Sequence, residues 1–179
     1  MYRHEPVLPW SAAGSAGLVL LQTVLLVIAP PVLAEDDQPP SELTIMVDGV
    51  SHHFKPKPNR TYRDEHPMFA LTYARPAFDS YYYTARAGVI RDSHDNHDTY
   101  LTAGFMRRWP LGAGFNLDAS LIAGVIHRKD LNDGNLTIFA LPILGIQKDW
   151  FQFEVTYVPK FDGGRSDVLF ASFGVSFDL

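Results

Sequence analysis

Three groups of polar residues in this sequence have the side chains that acid–base and nucleophilic chemistry requires. His52 and His53 are adjacent, Asp92 and Ser93 are adjacent further along the chain, and the polar run His94–Asp98 follows directly. A histidine can take the proton of a hydroxyl group while a carboxylate orients or charges the imidazole, and a serine supplies a hydroxyl of its own. Histidine, aspartate and serine in polar loops are also typical of solvated surface, and spacing alone leaves both interpretations open.

The run His94–Asp98 is rich in potential metal ligands, but its spacing matches no standard zinc pattern. We interpret it as a solvated surface loop. The sequence holds no glycine-rich phosphate-binding loop and no zincin motif. We therefore expect no metal site here.

The segments around these residues decide whether they can meet. About ten residues of alternating polarity followed by turn residues recur along the chain, which is the signature of a transmembrane barrel. We count eight such segments, at 43–54, 67–76, 80–92, 97–109, 113–128, 136–147, 149–159 and 168–179. If the first and third strands run in the same direction, the histidine pair and the Asp92-Ser93 pair lie at the same rim. The predicted fold class is all-β, an eight-stranded antiparallel transmembrane β-barrel.

The last two segments show the alternation most clearly. Large apolar residues share one face of 150–158 and of 169–177, and small or polar residues share the other face. Successive side chains of a strand point to opposite faces, so the apolar set would face lipid and the polar set the lumen. The alternative is a soluble lipocalin-like barrel with its apolar face turned inward.

The first residues have the character of a targeting segment. A polar start with Arg3 and His4 precedes an apolar run that closes on Val32-Leu33-Ala34, with the small, spaced residues that a signal peptidase prefers. The apolar run of about 14 residues is shorter than the roughly 20 of a spanning helix, which argues against a retained anchor. We predict a signal peptide at 1–34, a periplasmic lead-in at 35–42 and an outer-membrane barrel at 43–179.

Cysteine content and net charge limit how the domain can be stabilised and which partners it can bind. The chain has no cysteine, so an exported domain must be stable without disulfides, and a closed hydrogen-bonded barrel meets that condition. The net charge of −5 is mild, and we expect no nucleic-acid partner.

Several motifs resemble the PagP family of lipid A palmitoyltransferases. Arg91-Asp92-Ser93 is similar to the Lys-Asp-Ser motif of that family, Ala123-Gly124-Val125 with Arg128 resembles an Ala-Gly-Val-x-x-Arg stretch, and Thr156-Tyr157-Val158-Pro159 resembles Thr-Tyr-Ile-Pro. The likeness covers most of 51–179 and is strongest from Arg91 onward. The N-terminal amphipathic helix of well-known members has no counterpart here.

The resemblance assigns roles to particular residues. The family's catalytic aspartate and serine carry over onto Asp92 and Ser93, and its catalytic histidine onto His53, with His52 as the alternative because the following loop is shorter here. Gly104 falls on the glycine at the floor of the family's acyl pocket. Prolines that open the barrel wall for lateral lipid access carry over onto Pro67, Pro142 and Pro159.

The resemblance implies a function. A palmitoyl chain would move from a phospholipid donor to a hydroxyl group of lipid A in the outer membrane, with His53, helped by Asp92, as general base and no metal or cofactor. Ser93 would act as nucleophile or would position the ester. We expect a monomer. The alternatives are a non-enzymatic small outer-membrane barrel and a lipid A deacylase, whose His-x-Ser-Asn motif has no counterpart in this chain.

Overall fold

The alternating segments fold into eight antiparallel strands. The computed structural model describes residues 39–54, 63–128, 134–159 and 167–179, and they belong to one compact unit within Glu35–Leu179. Each strand pairs with its neighbours in sequence, and the last strand pairs with the first, which closes the barrel. The strands are β1 (Glu42–Phe54), β2 (Glu65–Phe78), β3 (Tyr81–Arg91), β4 (His97–Gly112), β5 (Phe115–His127), β6 (Leu136–Lys148), β7 (Phe151–Val158) and β8 (Asp167–Asp178).

The predicted fold class is confirmed, and each predicted strand overlaps its observed one. The predicted signal peptide, 1–34, and residues 35–38 of the predicted lead-in lie outside the described residues and stay predictions. Within the described ranges, no helix has the length and apolar character that crossing a bilayer would require.

The two ends of the barrel differ in their connections. At one end, called the turn end, two-residue turns join β2 to β3, β4 to β5 and β6 to β7. Asp79, Ala113 and Asp149 in these turns have φ of 48°, 51° and 51°, the left-handed conformation that tight hairpins require. The opposite end is called the loop end. Both β1 and β3 run toward it, so His53 and Asp92 lie at the same rim, as the strand count predicts.

The outer and inner faces of the wall separate by polarity. Large apolar side chains such as Leu121, Ile138 and Leu144 point outward and are 63%, 71% and 60% exposed. Inward positions such as Thr102 and Ser172 are buried. The apolar face is therefore turned outward, toward lipid, and the lipocalin-like alternative is wrong.

The interior has two different halves. The turn-end half holds a small apolar cluster of Ala74, Tyr82 and Met106 beside a polar network. In that network Arg108 donates to both carboxylate oxygens of Asp118 at 2.8 Å and also bonds Glu42. The loop-end half holds a cavity of about 260 Å³, called the loop-end cavity. Such a divided interior supports the wall at one end and leaves room for a ligand at the other.

Candidate active site

The loop-end cavity brings the predicted catalytic residues together. His53, at the end of β1, lines the cavity with Asp92 and Ser93, which directly follow β3. Most of its wall is apolar and includes Met68, Ile90, Tyr100, Ile126, Phe139 and Phe170. Chemistry-bearing side chains at the loop end therefore stand at one end of an apolar chamber.

The two adjacent histidines of β1 point to opposite faces of the wall. His53 lines the cavity. His52 is exposed, and its ring meets that of Phe54 edge to face with centroids 4.9 Å apart. The strand alternation thus supports His53 over His52 as the candidate base.

Asp92 is the acceptor around which the β3–β4 connection is built. Its Oδ1 accepts hydrogen bonds from the backbone N–H groups of His94 and Asn96, both at 2.8 Å. Its Oδ2 accepts from the Asn96 side-chain amide at 3.3 Å and from Arg128 at 2.8 Å. Burial raises the pKa of Asp92, but these donors together outweigh it, so its pKa lies below the ordinary carboxyl value. The site therefore carries an ionised carboxylate at neutral pH.

The hydrogen bonds to Asp92 predict how the β3–β4 connection responds to low pH. Because the folded-state pKa of Asp92 is lowered, its stabilisation is present above the unfolded value, near pH 4, and is lost as pH falls further. In amide hydrogen exchange, the N–H groups of His94 and Asn96 should stay protected from neutral pH down to about pH 4. Asp92→Ala should reduce that protection at least about tenfold, since bonds to a charged acceptor contribute about 1.5–3 kcal/mol. Equal exchange in the variant would show that Asp92 does not hold the loop.

Arg128 and Asp98 belong to the same cluster. Arg128 Nε lies 3.2 Å from Asp98 Oδ2, so this guanidinium joins Asp98 to Asp92. Asp98 is 1% exposed. The interpretation of His94–Asp98 as a solvated loop is therefore wrong for Asp98, although His97 is exposed. The alternation of 97–109 held the missing signal, because it places Asp98 on the inward face with Thr102.

A second histidine, which no sequence motif singled out, lines the cavity. His66, on β2, is 4% exposed and bonds Ser51 Oγ through Nε2 at 2.7 Å and the Arg91 carbonyl oxygen through Nδ1 at 2.9 Å. A carbonyl only accepts, so Nδ1 carries the proton and Nε2 accepts from the Ser51 hydroxyl. Ser51 and His66 thus form a hydroxyl–imidazole pair, oriented by a third group, in the same cavity.

The prolines mark irregular places in the barrel wall. Described pairing between β6 and β7 runs from Lys148↔Phe151 only to Ile143↔Thr156, and β6 continues past it through Pro142 to Leu136. Pro159 directly follows β7 and lines the cavity. Pro67 lies opposite Asp48, where the β1–β2 register shifts.

Gly104, which the resemblance assigns to the pocket floor, faces inward on β4 but lies against the wall. It pairs with Thr84 of β3 and with Ile122 of β5, which lines the loop-end cavity. A Cβ on Gly104 would lie inside contact distance of the Leu121 carbonyl oxygen and 2.9 Å from Ile122 Cα. The close approach of β4 and β5 therefore requires a glycine here.

Comparison with known proteins gives one family match. A family model described as "Antimicrobial peptide resistance and lipid A acylation protein PagP" matches residues 65–173. Among solved structures, the chain is similar to Ail, the attachment invasion locus protein of Yersinia pestis, at 14% identity and a TM-score of 0.42, with 79% of this chain and 100% of that chain covered. Ail in complex with the heparin analogue sucrose octasulfate gives 15% identity, a TM-score of 0.42 and the same coverage. No curated protein matches this chain.

Proposed function

The chain belongs to the PagP family of lipid A acylation proteins, and from that premise we propose that it transfers an acyl chain from a phospholipid to a hydroxyl group of lipid A. The protein is an outer-membrane barrel. One observation carries the proposal: the loop-end cavity is apolar along its wall and gathers histidine, carboxylate and serine at the loop end. An apolar chamber suits an acyl chain, and the polar residues suit its ester.

In the proposed reaction, the hydroxyl oxygen of lipid A attacks the ester carbonyl carbon of the phospholipid. His53 takes the hydroxyl proton as general base and returns it to the departing glycerol oxygen, so that the products are acylated lipid A and a lysophospholipid. We propose that the ionised Asp92, which lines the same cavity as His53, favours the imidazolium that forms between these steps. In this direct transfer Ser93 would position the ester. In a two-step alternative, the Ser93 hydroxyl oxygen attacks the phospholipid ester and releases the lysophospholipid, and the lipid A hydroxyl then attacks the acyl-serine and returns the serine hydroxyl, with His53 carrying the proton in each step.

The Ser51–His66 pair is a second candidate for the proton transfer. In the neutral tautomer that donates from Nδ1 to the Arg91 carbonyl oxygen, Nε2 is the acceptor, which is the arrangement that a base needs. Separate substitutions of His53 and His66 distinguish the two candidates.

The finer substrate assignments rest on the resemblance. It implies palmitate as the transferred chain, Gly104 at the pocket floor, and a monomer. A non-enzymatic barrel would be supported by the polar network around Arg108, but it would not need the apolar cavity beyond that network. A deacylase would release a fatty acid from lipid A and leave the phospholipid intact.

Acyl transfer with purified components tests the proposal. The folded barrel would be mixed in detergent with lipid A and a phospholipid of defined chains, and both lipids would be followed by mass spectrometry. We expect lipid A to gain one acyl group while an equal amount of lysophospholipid forms. A fatty acid released from lipid A would indicate a deacylase, and two unchanged lipids would support the non-enzymatic barrel.

Lateral entry of the donor between β6 and β7 gives a further prediction. Leu141 and Val158 each lie two residues beyond the last described pair of this seam, and both line the cavity. Cysteines at these positions, joined by a short thiol-cleavable crosslinker, should block acyl transfer, and reduction should restore it. The matched control joins cysteines at Ile143 and Thr156, which are already paired and also line the cavity. Full activity with the 141–158 link in place would exclude this route.

A further inference from the structure

A buried ion pair crosses the barrel at the turn-end limit of the loop-end cavity. Arg86 Nη2 lies 2.7 Å from Glu154 Oε1, and Arg86 Nε donates to Thr72 Oγ1 at 2.6 Å. The two charged side chains are 11% and 12% exposed. Arg86 is on β3 and Glu154 on β7, and three strands separate β3 from β7 on either side of the closed barrel. The pair therefore joins opposite walls across the lumen.

The pair also separates two spaces. Arg86 and Glu154 line the loop-end cavity, and both line the small space of about 20 Å³ on the turn-end side as well. That second space borders the polar cluster of Glu42, Arg108 and Asp118. Apolar wall thus gives way to charge at the level of Arg86 and Glu154.

An acyl chain would not pass this level at low cost. Separating a buried ion pair leaves two charges in a medium that solvates them poorly, whereas each further methylene gains only the small free energy of burying one apolar group. The methyl end of a bound chain would therefore stop against the pair.

The position of the pair sets a depth. Arg86 precedes Asp92 by six residues on β3 and the start of its loop. A strand rises about 3.3 Å per residue and barrel strands tilt by about 40°, so the span along the barrel axis is about 15 Å. With C–C bonds of about 1.5 Å, each methylene extends a straight chain by about 1.3 Å, so about 12 carbons fill that depth.

We infer that the Arg86–Glu154 pair is the floor of the acyl site and that the protein selects chains of about 12 to 14 carbons, laurate or myristate, over palmitate. The inference rests on the proposed acyl transfer and names its substrate class. The same calculation gives the depth of Gly104 relative to the pair. Gly104 pairs with Thr84, two residues beyond Arg86 toward the turn end, which is about 5 Å deeper, or about four methylenes. Gly104 therefore lies at the depth that the end of a palmitoyl chain would reach, and the Arg86–Glu154 pair lies between Gly104 and the loop end.

Competition among donors tests the inference. The folded barrel receives an equal mixture of phosphatidylcholines carrying laurate, myristate or palmitate, with lipid A as acceptor, and the added acyl groups are measured by mass. Wild type should favour laurate or myristate over palmitate at least about tenfold, the discrimination expected of misfit methylenes in a closed pocket. Arg86→Ala/Glu154→Ala removes both charges together and should shift the preference to palmitate.

The matched control is the charge exchange Arg86→Glu/Glu154→Arg, which keeps a pair of similar volume at the same depth and should keep the wild-type preference. Heat-modifiable migration on gels verifies folding of each variant. A wild-type preference for palmitate overturns the floor on its own, even where the alanine variant does not fold. A folded alanine variant with the wild-type preference also overturns it. Wild type that transfers no chain of any length overturns the proposed function itself.

Discussion

Replacing His53 with alanine should lower the rate of acyl transfer by about 10²–10⁴-fold, the usual contribution of a positioned general base. His53 lines the loop-end cavity with Asp92 and Ser93. It is the second-to-last residue of β1, directly before Phe54. The barrel should still fold, because rim residues contribute little to packing. The measurement is the initial rate of lipid A acylation by the folded variant, with gel migration before and after boiling as the folding test.

His52→Ala is the matched control, since it removes the same side chain one position away on the outward face. It should retain wild-type activity. Ser93→Ala should also abolish transfer. The variants His66→Gln and Ser51→Ala examine the second imidazole: full loss in His66→Gln with an active His53→Ala protein would assign the base to His66. If the His53→Ala and His66→Gln proteins both remain active, neither imidazole is the base, and the assignment of the catalytic site fails.

The fold could be predicted from sequence because a barrel strand is a local pattern. In β7, Gln152 and Glu154 alternate with Phe151 and Phe153, and this period by itself separates the lumen face from the lipid face. Closure follows because strands in lipid cannot leave an unpaired edge. The strand ends were less well defined: β4 continues past the predicted residue 109 to Gly112, since a tight turn, not the proline at 110, ends the pairing.

The contents of the lumen were less predictable. Alternation places Glu154 inside but cannot name its partner, because Arg86 lies on the opposite wall and the pairing of inward side chains depends on the stagger of the closed barrel. The bond between Ser51 and His66 was hidden for a different reason: the two residues lie on adjacent strands, and their register follows the shift between Met46 and Asp48. The choice between His52 and His53 required the register of β1, which shifts between Met46 and Asp48 and so changes which later residues face inward.

Gly104→Ala should destabilise the barrel by about 3 kcal/mol, the upper range for an overpacked interior. The new Cβ would meet the carbonyl oxygen of Leu121 and the Cα of Ile122, and backbone atoms of a paired strand cannot move aside as a side-chain end can. To make room, β4 and β5 must separate where they are paired. The measurement is the urea concentration at which the barrel in lipid vesicles loses its folded gel migration.

Gly145→Ala is the matched control, because Gly145 also faces the lumen from within a strand. Its added Cβ would meet the Nε2 of Gln152 at 2.8 Å, the far end of a flexible side chain, and otherwise only atoms at 3.4 Å. The free energy of unfolding of this variant should lie within about 1 kcal/mol of the wild-type value, since alanine in a strand loses less backbone entropy on folding than glycine does. If Gly104→Ala is as stable as Gly145→Ala, the approach of β4 and β5 is not what requires the glycine. If Gly104→Ala is that stable and transfers a shorter acyl chain than wild type, the cavity ends at Gly104. The Arg86–Glu154 pair then does not limit the depth of the cavity.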